Sequence, residues 1–488
     1  MAPPVESSSA YEELPILIVR LKLAAIDAYM REDGWTLNHE HYCRHWSGNF
    51  IQVSRPNENR PGGLVNVAAA SYTPDPATAW IQERLTHWDT IKSNISIALA
   101  AWGCLPDPET LEVDPNSLMS YYGRDAHDAA VALAVGDSGH GGGSSRAAGH
   151  LDEIEKRTLA LEGLTFQAFS ANFLVNVRRA ISGSCALVVV LGQALNGEAE
   201  LWKRARESTA EIVKKTTQSF KRYAEWSHDT TTVTLKVTGA VIAGATALAT
   251  AATGGMTIAL AGATGGAMVT LLSEIHSDST TAEEERNLAG GSYSDIWNAF
   301  IEALNALNKQ IKDEENLLEE KLNENQTNAT RDPGFDIHKN MDTAGGPGTT
   351  QLLGVAKVSD LGTDMKTDSG EVAGITKVFL PHVADELEGA QRILMRTIIP
   401  DNLPWVRSGS IGIGEKGPWL AWNQLAWTIW SLLGDLAWEC RENAKILDII
   451  DQSLHATDEE TAKRLDALLL QTAKENRPRN EPDPFGRV

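Results

Sequence analysis

Residues 237–273 read VTGAVIAGATALATAATGGMTIALAGATGGAMVTLLS, and none of these 37 positions carries a formal charge. Eleven are Ala, seven are Gly and seven are Thr, in a chain whose formal net charge is −22. One membrane-spanning helix needs roughly 20 apolar residues. Because Gly254 and Gly255 divide this apolar segment into flanks of 17 and 18 residues, we expect two helices that form a hairpin.

Seven glycines along the apolar segment indicate close contact between helices. They are Gly239, Gly244, Gly254, Gly255, Gly262, Gly265 and Gly266. Small residues let helix backbones approach each other, which favours helix association inside lipid. The same residues also fit a close-packed hairpin that is permanently buried in a soluble core. The sequence leaves both interpretations open.

Two stretches rich in loop-forming residues divide the chain. Residues 137–149, DSGHGGGSSRAAG, and residues 332–351, DPGFDIHKNMDTAGGPGTTQ, have the composition of flexible joints. Domain boundaries are expected in such stretches. We therefore predict an N-terminal domain, a central long-helix domain that contains the apolar segment, a C-terminal helical hairpin and a tail, at 1–136, 150–331, 352–475 and 476–488.

Helical periodicity extends over most of the chain. Residues 14–46 and 76–102 have a helical pattern, whereas residues 49–75 contain Pro and Gly and look irregular. Apolar residues at three- and four-residue spacing run from Phe300 to Leu318, interrupted by Glu314. Because no run of alternating strands and hairpin turns is evident, we predict an all-α fold, built as a bundle of long antiparallel helical hairpins.

The charges on either side of the apolar segment are opposite in sign. Residues 201–236 contain eight Lys or Arg and four acidic residues, whereas residues 281–325 contain four basic and eleven acidic residues. One interpretation is that these two helices pair, with the apolar segment at one extremity. The other is that the basic residues are attracted to anionic lipid.

Residues 187–226 contain Leu195-Asn196-Gly197, followed by a long amphipathic stretch. This pattern resembles the turn region of WXG and LXG proteins, the helical-hairpin substrates of bacterial type VII (ESX) secretion. The resemblance implies that Leu195 and Gly197 form the turn between two helices, since Gly allows the backbone to reverse.

Residues 368–474 have the pattern of a helix, a Gly- and Pro-containing loop and a second helix. This resembles the EspC-like, ESX-secretion-associated proteins of actinobacteria, whose second helix ends in a Tyr-xxx-Asp/Glu export signal. Asp458 matches the acidic position, and Leu454 stands where the family has Tyr. The departure implies that a small WXG-type partner or chaperone supplies the missing signal.

These features lead to two hypotheses of different classes. The first is a type VII secretion-associated, membrane-active effector that inserts the apolar segment into a lipid membrane and assembles there as a homo-oligomeric pore. Its layout is also similar to helical pore-forming toxins of the ClyA type, so a stand-alone toxin is a variant of this hypothesis. The second is a soluble scaffold or interaction protein in which the apolar hairpin is permanent core.

Other classes of protein have little support in the sequence. An acidic chain repels phosphate, so we expect no nucleic-acid partner. Residues 39–45, HEHYCRH, hold the best metal-ligand candidates, because His41 and His45 would share one face of a helix, but no second cluster completes a tetrahedral site. We expect no metal, no cofactor and no enzymatic activity. The N-terminus does not fit a Sec signal peptide, so we expect a secreted or cell-surface protein that uses another export route.

Overall fold

The computed structural model describes residues 10–46, 49–63, 65–68, 76–112, 121–133, 146–161, 166–167, 169–225, 231–251, 284–332, 334–335, 368–398 and 403–455. These residues are mostly helical, with a few small strands.

The N-terminal part combines two helices with a sheet. Helix α1 (Leu14–Glu32) is followed by β1 (Thr36–Asn38), β2 (His41–Trp46), β3 (Asn49–Ser54) and β4 (Val65–Ala68), and then by α2 (Pro76–Ala100). The four strands pair in chain order, each antiparallel to the next. The prediction of a helix through residue 46 is therefore wrong, and so is the irregular structure predicted for the residues that form β3 and β4. The all-α prediction is confirmed only in that the described residues are mostly helical.

The sheet forms because the spacing of buried apolar residues changes after α1, from the three- or four-residue spacing of a helix to the two-residue spacing of a strand. The helix ends before Gly34, which adopts a positive φ of 81°, and His39 (φ 48°) then reverses the chain between β1 and β2. Ile51 and Val53 lie two residues apart and are both buried, as expected for one face of a strand. The hydroxyl of Tyr42 donates to Asp27 Oδ1 at 2.6 Å, which attaches the sheet to α1.

Three short helices lead into the central part. They are α3 (Pro108–Leu111), α4 (Tyr121–Leu133) and α5 (Arg146–Thr158). A π-helical turn at Phe169–Leu174 then begins the longest helix, α6 (Val175–Ala224). The predicted joint at 137–149 lies largely outside the described residues.

Leu195, Asn196 and Gly197 lie within the continuous helix α6. The prediction that Leu195 and Gly197 form a turn between two helices is therefore wrong. A single Gly in a helix interior costs about 1 kcal/mol relative to Ala, which the neighbouring helix-forming residues and tertiary packing can offset. Leu195 has no exposed surface and packs into the core.

After α6 come β5 (Thr232–Leu235), α7 (Ala240–Ala251), β6 (Glu284–Asn287) and α8 (Tyr293–Arg331). Helices α6 and α8 run antiparallel, because Phe220 near the end of α6 stacks on Tyr293 at the start of α8, with ring centroids 5.4 Å apart. Helix α7 contains Gly244. The positions of Gly254, Gly255, Gly262, Gly265 and Gly266, and with them the predicted hairpin, lie outside the described residues.

The C-terminal part is a helix, a loop and a helix. Helix α9 (Ser369–Gly374) continues through a π-helical turn (Ile375–Phe379) into α10 (Leu380–Ile398), and α11 (Trp419–His455) follows the loop. Helices α10 and α11 are antiparallel, since Gln391 donates to the carbonyl of Trp430 at 3.0 Å and Lys377 pairs with Asp448. Leu454 lies in the last turn of α11, and Asp458 is outside the described residues.

One continuous hydrophobic core unites these parts. It includes Leu21 of α1, Trp202 of α6, Ile311 of α8 and Trp422 of α11. The indole nitrogen of Trp422 donates to the carbonyl of Leu191 at 3.0 Å, which joins α11 directly to α6. The C-terminal helices therefore pack on the central helices rather than apart from them.

Candidate functional site

The first described part of the apolar segment, helix α7, packs closely on α6 where two glycines meet. A Cβ atom at Gly244 would lie 2.8 Å from the carbonyl carbon of Asn196 and 3.0 Å from the Cα of Gly197. A Cβ atom at Gly197 would lie 3.1 Å from a methyl group of Val241. Distances this short to backbone atoms leave no room for a side chain at Gly244.

Glu314 of α8 caps the beginning of α7. Its Oε1 accepts a hydrogen bond from the backbone N–H of Gly239 at 2.7 Å, and its Oε2 accepts one from Val241 at 3.1 Å. The first N–H groups of a helix have no partner within the helix and carry partial positive charge, so a carboxylate stabilises them. We call Gly197, Gly244 and Glu314 the α7 docking site.

Burial of Glu314 raises the pKa of its carboxyl group, although the two backbone hydrogen bonds and the nearby charge of Arg204 act in the opposite direction. Desolvation disfavours the ionised form, whereas donors pointing at it favour that form. Since the net direction is upward, the docked state binds a proton at Glu314 more tightly than an exposed carboxylate does. The docking site is therefore not weakened by mild acid through this residue.

Strand β5 precedes the apolar segment in the chain, strand β6 follows it, and the two strands pair with each other. Thr232 pairs with Asn287 and Leu235 with Glu284, in antiparallel register. Val233 and Leu235 have no exposed surface. Leu235, the last residue of β5, and Glu284, the first residue of β6, are therefore adjacent in the fold.

The residue after Glu314 in α8, Glu315, belongs to a buried cluster of charged side chains. Glu315 forms an ion pair with Arg407 from the loop before α11, and neither side chain has exposed surface. Glu198 of α6 faces the same group, and its Oε2 accepts from the indole nitrogen of Trp202 at 2.6 Å. The guanidinium of Arg407 lies 4.9 Å from the ring centroid of Trp202.

Two carboxyl groups in this cluster interact electrostatically with one guanidinium, and Glu315 is bound to it directly. Burial is the largest cause that raises the pKa of both Glu198 and Glu315, and for Glu198 the charge of Glu315 adds to it. Arg407 opposes the shift at both residues. Because Glu315 also accepts from the N–H of Ile413 at 2.8 Å, we assign the charge to Glu315 and the proton to Glu198.

The glycine-rich loop before α11 closes around this ion pair. Gly412 and Gly417 have φ values of 64° and 49°, which side-chain-bearing residues rarely adopt. A Cβ atom at Gly412 would lie 2.8 Å from the carboxyl carbon of Glu315. The loop backbone therefore contacts the buried charges directly, and it joins the C-terminal helices to α6 and α8.

The predicted metal candidates His41, Cys43 and His45 lie on strand β2 rather than on a helix. Within the part of the chain that the structure describes, no group of three or more His, Cys, Asp or Glu side chains is arranged to hold a metal ion. His150 and His382 come close, with ring centroids 5.0 Å apart, but they do not form such a group.

Among the described residues, one helix is long and apolar enough to cross a membrane by length and composition, Phe169–Ala224. Because 67 % of its most apolar stretch is buried, it has the character of a core helix. The rest of the apolar segment, residues 252–273, lies outside the described residues.

Of the predicted glycines, the structure places Gly244 in the α7 docking site and Gly239 beside it, where its N–H donates to Glu314. Gly197 has a different role from the one predicted. Sequence reasoning did not assign a role to Glu314, Glu315 or Arg407. One signal was present, because Glu314 interrupts the apolar pattern of α8. Comparisons with protein-family models, curated proteins and solved structures found no match to this chain.

Proposed function

We propose that this protein is a membrane-active, type VII secretion-associated effector that holds α7, the first helix of the apolar segment, against α6 and releases residues 237–273 into lipid. The observation that carries the proposal is the docking of α7, the first helix of a 37-residue uncharged segment, at a site built from two glycines and one carboxylate. A helix held in this way can leave its site without breaking an ion pair of its own, because residues 240–251 contain no charged side chain.

The interactions that hold α7 at the docking site are modest, so the helix can leave it. Removing a helix-capping side chain costs about 0.5–2 kcal/mol in proteins. The apolar side chains of Ala240, Val241 and Ala245 are fully buried, and small side chains contribute less hydrophobic stabilisation than Leu or Phe. A bilayer offers the same residues an alternative apolar environment, in which Gly-lined faces favour association of several copies.

The export route in this proposal is type VII secretion. Its support is the resemblance of the helix-loop-helix region, residues 368–474, to EspC-like proteins. In this proposal a WXG-type partner supplies the export signal that Leu454 lacks, and residues 237–273 form a helical hairpin. In a host with a type VII system, the protein should disappear from the culture medium when the secretion ATPase is deleted.

Dye release from vesicles tests the membrane activity. Purified protein should release carboxyfluorescein from phosphatidylcholine/phosphatidylglycerol vesicles. Ala259→Asp should reduce release, because insertion of the hairpin has to carry this charge across the bilayer centre, where a charged side chain costs about 2.5–3.5 kcal/mol on insertion scales. Ala160→Asp is the matched control, because Ala160 is exposed at the end of α5. Absence of release by the unmodified protein, or equal release by the Ala259→Asp variant, would contradict the proposal.

A soluble scaffold is the second candidate function. It is favoured by the complete burial of Val237, Ala240, Val241 and Ala245, which is also what a permanent core helix shows. In that case the vesicles stay intact with every variant, and Ala259→Asp lowers the stability of the protein. A stand-alone toxin of the ClyA type predicts dye release without dependence on a secretion ATPase.

A further inference from the structure

Helix α5 packs across the junction of α9 and α10, and polar side chains fix both of its ends. Near its C-terminal end, Arg157 pairs with Glu371 of α9, and its guanidinium lies 5.0 Å from the ring centroid of Phe379 in the π-helical turn. At its N-terminal end, Arg146 lies 3.8 Å from Glu386 of α10. The helix therefore covers this junction through contacts that depend on charge.

Two histidines face each other across the same interface. The ring centroids of His150 on α5 and His382 on α10 lie 5.0 Å apart, with 45° between the ring planes. His150 also packs against Phe379, with ring centroids 6.0 Å apart. Neutral imidazoles can pack at this distance, whereas two imidazolium ions repel each other. The interface thus favours a state in which the two rings are not both charged.

Protonation of His150 is disfavoured while α5 is in place. Burial lowers the pKa of His150 from its ordinary value of 6.5, and the charges of His382 and Arg146 act in the same direction. The carboxylate of Glu386 acts in the opposite direction. Because the net direction is downward, the proton binds more tightly once α5 has left the interface. Acid therefore favours the detached form, and this contribution to stability is lost as the pH falls below 6.5.

The other charged groups around α5 are paired or lie near pairs of their own. In the described part of the chain, the pairs are Asp152 and Glu155 with Arg178, Glu153 with Lys156, Lys377 with Asp448, Asp385 and Glu388 with Arg441, and Asp125 with Arg396. Arg124 and Asp128 of α4 lie near Asp125, and Arg392 of α10 lies near Glu388. The charges that act on His150 are those of His382, Glu386 and Arg146.

From this geometry we infer that α5 is an acid-sensitive cover over the junction of α9 and α10, held by the contact between His150 and His382 and released in mild acid. Release exposes Leu151 and Ile154, which have no exposed surface while α5 is in place. The inference does not rest on the proposed membrane activity, because it concerns a different face of the protein. It applies equally to a soluble scaffold.

The expected pH dependence has the opposite sign to that of the buried carboxyl groups. The pKa values of Glu198 and Glu315 are raised to about 8 and about 7, so acid stabilises the fold around them. Global unfolding would mix the two effects. The response of α5 therefore has to be measured at α5 itself.

Amide hydrogen exchange of the full chain between pH 5.5 and pH 7.5 tests the inference. Each rate is divided by the intrinsic exchange rate at the same pH, which gives an opening constant for residues 150–158. We expect this constant to rise by up to about tenfold per pH unit as the pH falls below 6.5, because the open form binds one more proton. The opening constants of α6 and α8 should not rise. This range lies above the ordinary pKa of a Glu carboxyl group, about 4.3.

Substitutions at the interface should change this rise in opposite directions. His150→Gln should abolish it and His382→Gln should reduce it, since each removes one of the two imidazoles. Glu386→Gln should enlarge it, because the carboxylate that favours protonated His150 in the closed form is lost. His87→Gln is the matched control, since His87 of α2 packs against the ring of Tyr29 instead, with ring centroids 5.6 Å apart.

Two results would overturn the inference. One is an opening constant of α5 that stays the same, or falls, between pH 7.5 and pH 5.5 in the unmodified protein. The other is an equal rise in the unmodified protein and in the His150→Gln variant. The first result needs no variant to fold, and neither involves lipid, so the proposed function is unaffected by both.

Discussion

Glu314 and Glu315 are consecutive residues of α8 that bind two different parts of the chain. Glu314 accepts hydrogen bonds from Gly239 and Val241 at the start of the apolar segment. Glu315 binds Arg407 and the N–H of Ile413 in the loop before α11. One turn of one helix therefore positions both α7 and the C-terminal helices, and the predictions below separate the two roles.

Replacement of Glu314 by Ala should loosen α7 specifically. Ala cannot accept the two backbone hydrogen bonds, so we expect a loss of about 0.5–2 kcal/mol, the usual cost of removing a cap. Hydrogen exchange should show faster exchange in residues 239–245 and little change in α11. Glu320→Ala on the exposed side of α8 is the control, and an equal effect of both substitutions would argue against the cap.

Gly244→Ala should disturb the contact between α6 and α7, although Ala is the better helix former. The added methyl group would meet the carbonyl group of Asn196, and overpacking of this kind typically costs about 1–3 kcal/mol. Gly149→Ala in α5 is the matched control, because a Cβ there meets no atom within 4 Å. In urea unfolding, the free energy of unfolding should fall for Gly244→Ala and rise for Gly149→Ala, since Ala in an open helix position stabilises by up to about 1 kcal/mol.

Long helices could be predicted from sequence because their signal is local. The apolar positions of α8 recur every three or four residues, so one window of sequence is enough to indicate the helix and its buried face. The sheet was missed for the opposite reason. Its strands have three to six residues, and their pairing depends on turns such as the one at His39, where positive φ is uncommon for a residue with a side chain.

The docking site could be predicted only in part. Gly239 and Gly244 were recognisable as small residues in an apolar segment. Their partners were not, because Gly197 and Glu314 lie 47 residues before and 70 residues after Gly244 in the chain. The resemblance to WXG and LXG proteins predicts a turn at Leu195-Asn196-Gly197, yet in the structure Gly197 lies within a helix and allows α7 to approach. A pairwise contact of this kind leaves no signal in one sequence.

The stability of the protein should fall as pH rises through the neutral range, in part because of Glu198. Burial and the charge of Glu315 raise the pKa of Glu198 from 4.5 to about 8. The folded state then binds this proton more tightly than the unfolded chain, so the free energy of unfolding decreases between about pH 4.5 and pH 8. Glu198→Gln mimics the protonated side chain and should make this dependence shallower. The measurement is urea unfolding at pH 6 and pH 9, and an unchanged slope in the variant would show that Glu198 does not hold the proton.

Removal of Arg407 should be among the most damaging single substitutions in the chain. Arg407→Met leaves Glu315 buried without its counter-ion, and breaking a buried ion pair from one side costs about 3–5 kcal/mol. Addition of Glu315→Gln should recover much of this loss, since the amide oxygen can still accept from Ile413 and no charge remains. The loss in the single variant should also shrink at low pH, where Glu315 becomes protonated. Urea unfolding of both single variants and the double variant completes the cycle, and additive losses would mean that the pair does not act as a unit.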